Sequence, residues 1–196
     1  MSDDYAVFDG KTGHETVLNN GRRTAVHWGD ANEGGARSLS YRATGSYYFE
    51  VSVHNYVGDD SAIGLIKRGG VYNDMHYGNA EAIAFFFHDG SIWNSDTEVK
   101  KLGEVPKGSR VDVAVDLDLQ QLWLRINDGS WQGMGDDADP ETGVGGFSFA
   151  SFQKEGAAIM ALYAGPNTGK GDALTLNAGS QEFSGYEPAG FEGWPR

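Results

Sequence analysis

The chain has 196 residues, no cysteine, 29 glycines, 5 prolines and a formal net charge of −13, and 12% of its residues are aromatic. That length fits one domain able to bury its own core. The lack of cysteine excludes disulfides, thiolate metal sites and a cysteine nucleophile, and the acidic balance disfavours nucleic acid and anionic membrane as partners.

Residues 1–23 are polar and glycine-punctuated and read as an arm laid over the domain or used in assembly. Thr24–Trp28 is a first short strand and Ser38–Ala43 the next. From Ser46, Tyr47, Phe49, Val51 and Val53 alternate with Tyr48, Glu50, Ser52 and His54. Such period-two alternation predicts a half-buried strand. Gly58-Asp59-Asp60 turns the chain, Ala62–Ile66 reads as a buried strand, and Lys67–Asn79 as a long loop. Ala80–Phe87 is apolar on both faces apart from Glu81, as in a strand covered on both sides. Asp89-Gly90 signals a hairpin that Ile92–Asn94 continues.

The span Arg110–Asn127 predicts a second hairpin. A loop at Asp118–Gln121 pairs Leu117 with Leu122, Val115 with Leu124 and Val113 with Ile126, all apolar. Gly129–Gly156 is rich in glycine and acid, and within it Phe147, Phe149 and Phe152 alternate loosely. Ala157–Ala164 is a further buried strand and Leu174–Asn177 the last clear one. Tyr186–Trp194 closes the chain as an aromatic tail. Many short strands with turn signals and no helical pattern predict an all-β sandwich or barrel.

Several of these segments resemble SPRY domains. Tyr47-Tyr48-Phe49-Glu50-Val51 resembles the opening strand of that family, and Ala62-Ile63-Gly64-Leu65 its next strand with a central glycine. Residues 108–118 and the return arm Leu122–Gly129 are similar to its most recognisable hairpin, and Leu176–Gly179 with Phe183, Tyr186, Pro188 and Phe191 to its close. The resemblance covers about residues 45–194. It implies a bent antiparallel β-sandwich, a concanavalin-like jelly roll, that recognises ligands through end loops and has no catalytic machinery. On that basis residues 1–44 are an N-terminal arm with leading strands packed on the sandwich, and 45–196 the sandwich domain. Residues 131–146 and 186–194 further resemble bacterial and phage versions, which implies a virion protein such as a head decoration, head fibre or tail accessory.

The candidate ligand-binding residues are Lys67, Arg68, Tyr72, Met75, His76, Tyr77, Trp93, Trp131, Asp136 and Asp137. Tyrosine, tryptophan, arginine and methionine are enriched at binding surfaces, although Tyr72 and Tyr77 serve equally well folded back over the sandwich end. Trp123, off the core face, is expected under a neighbouring strand or loop. The runs Asp59-Asp60 and Asp136–Asp139 carry oxygen ligands that suit calcium, but neither matches an EF-hand loop, and solvated acidic loops are the preferred reading. The five histidines lack metal-ligand spacing, and no serine sits in a Gly-x-Ser-x-Gly elbow. Asp112 and Asp116 share a strand face, as a glycosidase pair would, but read better as outward-facing solvated acids near Arg125.

The expectation is therefore a non-enzymatic module with no catalytic residue, metal or cofactor. Its partner would be a protein subunit of a particle or a host-surface glycan, with a homo-oligomer admitted, and neither nucleic acid nor membrane insertion is expected. The chain would be made in the host cytoplasm and end in a virion. The alternatives are a cytoplasmic SPRY domain that docks a short peptide and, third, a carbohydrate-active enzyme.

Overall fold

The computed structural model describes residues 4–29, 34–70, 82–94, 96–149, 154–164 and 170–196. Numbered in chain order, the strands of the first sheet run β1 (Thr16–Asn19), β2 (Thr24–His27), β13 (Ala173–Asn177), β4 (Ser46–Asn55), β9 (Arg110–Asp116), β10 (Gln121–Ile126) and β11 (Phe147–Ser148). All these neighbours are antiparallel. A short β14 (Glu192–Gly193) adds in parallel beside Tyr47 and Tyr48. The second sheet runs β3 (Gly34–Arg37), β12 (Ala157–Ala164), β5 (Ala62–Lys67), β6 (Ala82–Phe86), β7 (Ser91–Asn94) and β8 (Thr97–Lys101), again antiparallel.

The two sheets enclose one apolar interior. The first contributes Phe49, Val51, Val53, Val111, Val113, Val115, Leu122, Leu124, Leu174 and Leu176, and the second Ile63, Leu65, Ile83, Phe85 and Ile159. Burying each such side chain stabilises the fold by about 1.5–3 kcal/mol before entropy is counted. Phe8 enters the same interior from the N-terminal segment and Trp194 from the tail, both fully buried. The alternate residues of β5 and β6, including Ile66 and Phe86, form a smaller cluster on the other face of the second sheet, with Tyr41 and Trp93 packed against it. That two-sided burial is what the apolar run at 82–87 predicts.

Some boundaries differ from expectation. The arm at 1–23 contains β1, which pairs with β2 at the edge of the first sheet. The strand expected at 38–43 lies earlier, at 34–37, and leaves only isolated bridges from Ser38 to Phe8 and from Arg42 to Ala157. In the β9–β10 hairpin, Leu122 stands opposite Val115, Leu124 opposite Val113 and Arg125 opposite Asp112. The register is thus two residues from the expected one. Asp116 decides it: its Oδ1 accepts the Leu119 N–H at 2.7 Å, and Gln120 takes φ 57°. The loop is therefore Leu117–Gln120.

Candidate functional site

The outer face of the first sheet carries Tyr48 and Glu50 on β4, Asp112 and Ala114 on β9, and Trp123 and Arg125 on β10. Asp112 has no exposed surface and Glu50 only 4%. This corrects the expectation that Asp112 is a solvated surface acid. Arg125 Nη2 and Nε lie 2.7 and 2.8 Å from Asp112 Oδ2, and Arg110 Nε lies 2.6 Å from Oδ1. Two guanidinium groups thus compensate one carboxylate that has left water, as a buried charge requires. Both oxygens are occupied, so Asp112 has nothing of a general base. Asp116 is spent on the hairpin turn and on Ser46 Oγ at 3.0 Å.

Glu50 fastens the tail to this layer. Its Oε1 accepts the Gly185 N–H at 2.6 Å and the Tyr48 hydroxyl at 3.2 Å. Burial first, then the charges of Asp112 and Glu50, push the Tyr48 phenol far above its ordinary value, so it remains a donor. A Cβ at Gly185 would stand 2.6 Å from Asp112 Oδ2 and 2.8 Å from Arg110 Nη2, so the contact requires glycine. Arg125 also donates to the Tyr186 carbonyl at 3.0 Å, and its guanidinium lies 4.4 Å from the Trp131 ring centroid. Trp123, expected under a loop, is fully buried and donates to the Val144 carbonyl at 2.8 Å.

Anchored in this way, the tail 179–193 and Tyr5 border an open groove of about 740 Å³. Its aromatic lining is Tyr5, Phe183, Tyr186 and Phe191, and its acidic lining Glu182, Glu187 and Glu192. Tyr5 sits against Gly179 and Gly193, where an added Cβ would come within 2.6 and 2.8 Å of its ring. Tyr186 is 65% exposed. Its phenol is raised above the ordinary value by a hydrogen bond to Glu141, and Glu141 Oε1 also accepts the Ala189 N–H at 2.9 Å. Glu187 is raised by burial and then by the charge of Glu192. Among the described residues none of the carboxylates of Glu182, Glu187 and Glu192 has a hydrogen bond or an ion pair.

The expected site residues that are described do not gather in one place. Lys67, at the end of β5, lies 3.5 Å from Glu155, and the Arg68 guanidinium lies 5.6 Å from the centroid of the Tyr41 ring. Trp93 lines a hollow of about 240 Å³ with Asp59, Asp60, His88, Asp89 and Glu98. Asp89 there is lowered: burial acts upward, but hydrogen bonds from Lys101 and Ser91 outweigh it. Trp131 belongs to the opposite sheet's outer face, and Asp136 and Asp137 are exposed on its covering loop. Tyr72, Met75, His76 and Tyr77 lie outside the described residues. Among the described residues no three acidic or histidine side chains converge enough to hold a metal ion.

The sequence reading missed the groove. Its signal was the density of glycine, glutamate and aromatics between 179 and 193, in a segment with no strand period.

Among solved structures, the chain is similar to the SPRY domain of human HERC1, with a TM-score of 0.68 and 13% identity. That match covers 89% of this chain and 99% of the other. It is similar to the PSpry domain of TRIM65, with a TM-score of 0.64, 12% identity, and 88% and 92% of the two chains covered. Stonustoxin gives a TM-score of 0.58 at 16% identity, over 88% of this chain and 27% of that one. No protein-family model and no curated protein matches the sequence. At these identities the likeness establishes the fold, a SPRY-type β-sandwich. It does not extend to the bacterial or phage type expected from residues 131–146 and 186–194.

Proposed function

We propose that this SPRY-type sandwich is a non-enzymatic binding module that captures a segment of another protein in the groove between Tyr5 and the tail 179–193. The observation that carries this reading is the groove itself. Half-exposed aromatic rings and unpaired carboxylates line a hollow whose back is fixed to a buried ion-pair layer. A preformed surface of this kind loses little conformational entropy on binding, and exposed tyrosine is a frequent anchor. Catalysis has no support from the carboxylates of β9, which are held by arginines and by a turn.

The end-loop residues remain a second reading on one observation: Trp93 forms a wall of the smaller hollow beside Asp59 and Asp60. A virion subunit or host-surface glycan as the partner, and the virion as the location, rest on the likeness of 131–146 and 186–194 to phage versions alone. A cellular protein partner stands on equal footing.

The test is selection of binding peptides from a random library on the purified domain, followed by affinity measurement on two variants. Tyr186→Ala is expected to weaken binding by about 2 kcal/mol, some thirtyfold, and Trp93→Ala to leave it unchanged. Loss of affinity in Trp93→Ala with none in Tyr186→Ala would move the site to the smaller hollow.

A further inference from the structure

We infer that the groove selects a protein segment bearing lysine or arginine, an inference that rests on the groove being the recognition surface and adds the chemistry of its occupant. Glu182, Glu187 and Glu192 border the groove without a hydrogen bond or an ion pair among the described residues. The guanidinium groups that touch residues 179–193 are engaged elsewhere. Arg110 and Arg125 hold Asp112, and Arg23 Nη1 donates to Ser180 Oγ at 3.1 Å. The negative potential of the groove is therefore left to a ligand. Glu187 is raised there by burial first and then by the charge of Glu192.

The aromatic lining completes the match. The ring faces of Tyr5, Phe183, Tyr186 and Phe191 attract cations through their quadrupoles. Lysine and arginine also carry apolar stems that lie well along such rings. Other occupants fit worse. A second copy of this chain brings another −13 of charge, an anionic ligand meets three carboxylates, and a neutral sugar leaves those carboxylates uncompensated. The net charge of the whole chain also steers a cationic segment towards it.

The experiment uses the full chain and labelled peptides of about eight residues, a length suited to a groove of this size. All share one Gly/Ser/Tyr framework that carries two arginines, two lysines, two glutamines or two glutamates. Affinity is read by fluorescence anisotropy and location by amide shifts in NMR. The arginine and lysine peptides are expected to bind about tenfold or more tighter than the glutamine peptide. That preference should shrink between about 50 and about 300 mM salt, and the bound peptides should shift amides in 179–193. The variant E182Q/E187Q/E192Q should lose the preference while its melting temperature is unchanged or raised. If the glutamine peptide binds equally well and shifts the same amides, the cation preference is overturned and the groove reading stands. If cationic peptides bind without shifting 179–193, both fail. If no peptide binds, the cation preference is overturned, and the groove reading is left to the library selection.

Discussion

Asp112 and Asp172 are both fully buried, yet the regions around them handle the charge in opposite ways. Asp112, on the outer face of the first sheet, is flanked by two arginines. Asp172, at the turn before β13, is held by neutral donors: the Val57 N–H at 2.6 Å and the Ser61 hydroxyl. Its carboxyl is raised, by burial above all, which outweighs the lowering by the Ser61 and Val57 hydrogen bonds and, after them, by the charges of His27 and Lys107. The first region needs its charge and the second tolerates it. A buried ion pair is seldom worth more than apolar packing of equal volume. What the Asp112 layer provides is direction: Arg125 and Glu50 have fixed partners in the tail, and so the groove has a fixed wall.

The comparison breaks most sharply if the counter-charge is removed. Arg125→Ala strands the Asp112 carboxylate with Arg110 alone and is expected to cost about 3–5 kcal/mol in urea denaturation. Pairing it as Asp112→Leu with Arg125→Met should recover most of that loss while freeing the Tyr186 carbonyl from its arginine. Gly185→Ala pushes a methyl into the same layer and should cost about 1–3 kcal/mol by the same assay, with the tail displaced. Tyr48→Phe removes one neutral donor from Glu50, which keeps the Gly185 N–H, and should cost about 1 kcal/mol.

The smallest effect belongs to Asp172 and depends on pH. A carboxyl raised in the folded state adds stability that is fully present below its unfolded pKa and is lost as pH rises through the folded one. Asp172→Asn keeps both contacts, since its amide oxygen can accept from Val57 and its NH₂ can donate to Ser61 Oγ. The variant should therefore gain on the wild type as pH rises from acid to neutral, as followed by melting temperature against pH. A difference that stays constant across that range would remove the distinction between the two carboxylates.

Most of the fold was legible because period two is a strong signal. The alternations Phe49-Val51-Val53 and Val111-Val113-Val115 named the interior face of β4 and β9, and the structure keeps them there. The hairpin register was not legible for a related reason. A shift of two residues exchanges one apolar partner for another and leaves every pair apolar, so the pattern cannot detect it. The outer face and the turn separate the two registers: Arg125 stands opposite Asp112 and Trp123 opposite Ala114, and Asp116 closes the turn. Asp112 misled because polar residues on alternate positions normally face water. The counter-signal was present in Tyr48, Ala114 and Trp123, which share its face and require cover. The groove is the least legible element, since it is assembled from Tyr5 and a tail nearly 180 residues further along, brought together by single contacts and not by a repeating pattern.

Hydrogen exchange at the Gly185 amide, read by NMR, is the most direct probe of whether that wall is preformed. Bonded to a buried Glu50 oxygen, this N–H should exchange nearly as slowly as the amides of β9 and β10, and Arg125→Ala should accelerate it more than it accelerates those strands. Exchange at the rate of a free loop amide, with the strands still protected, would mean that the tail is loose over the ion-pair layer and that no fixed groove exists.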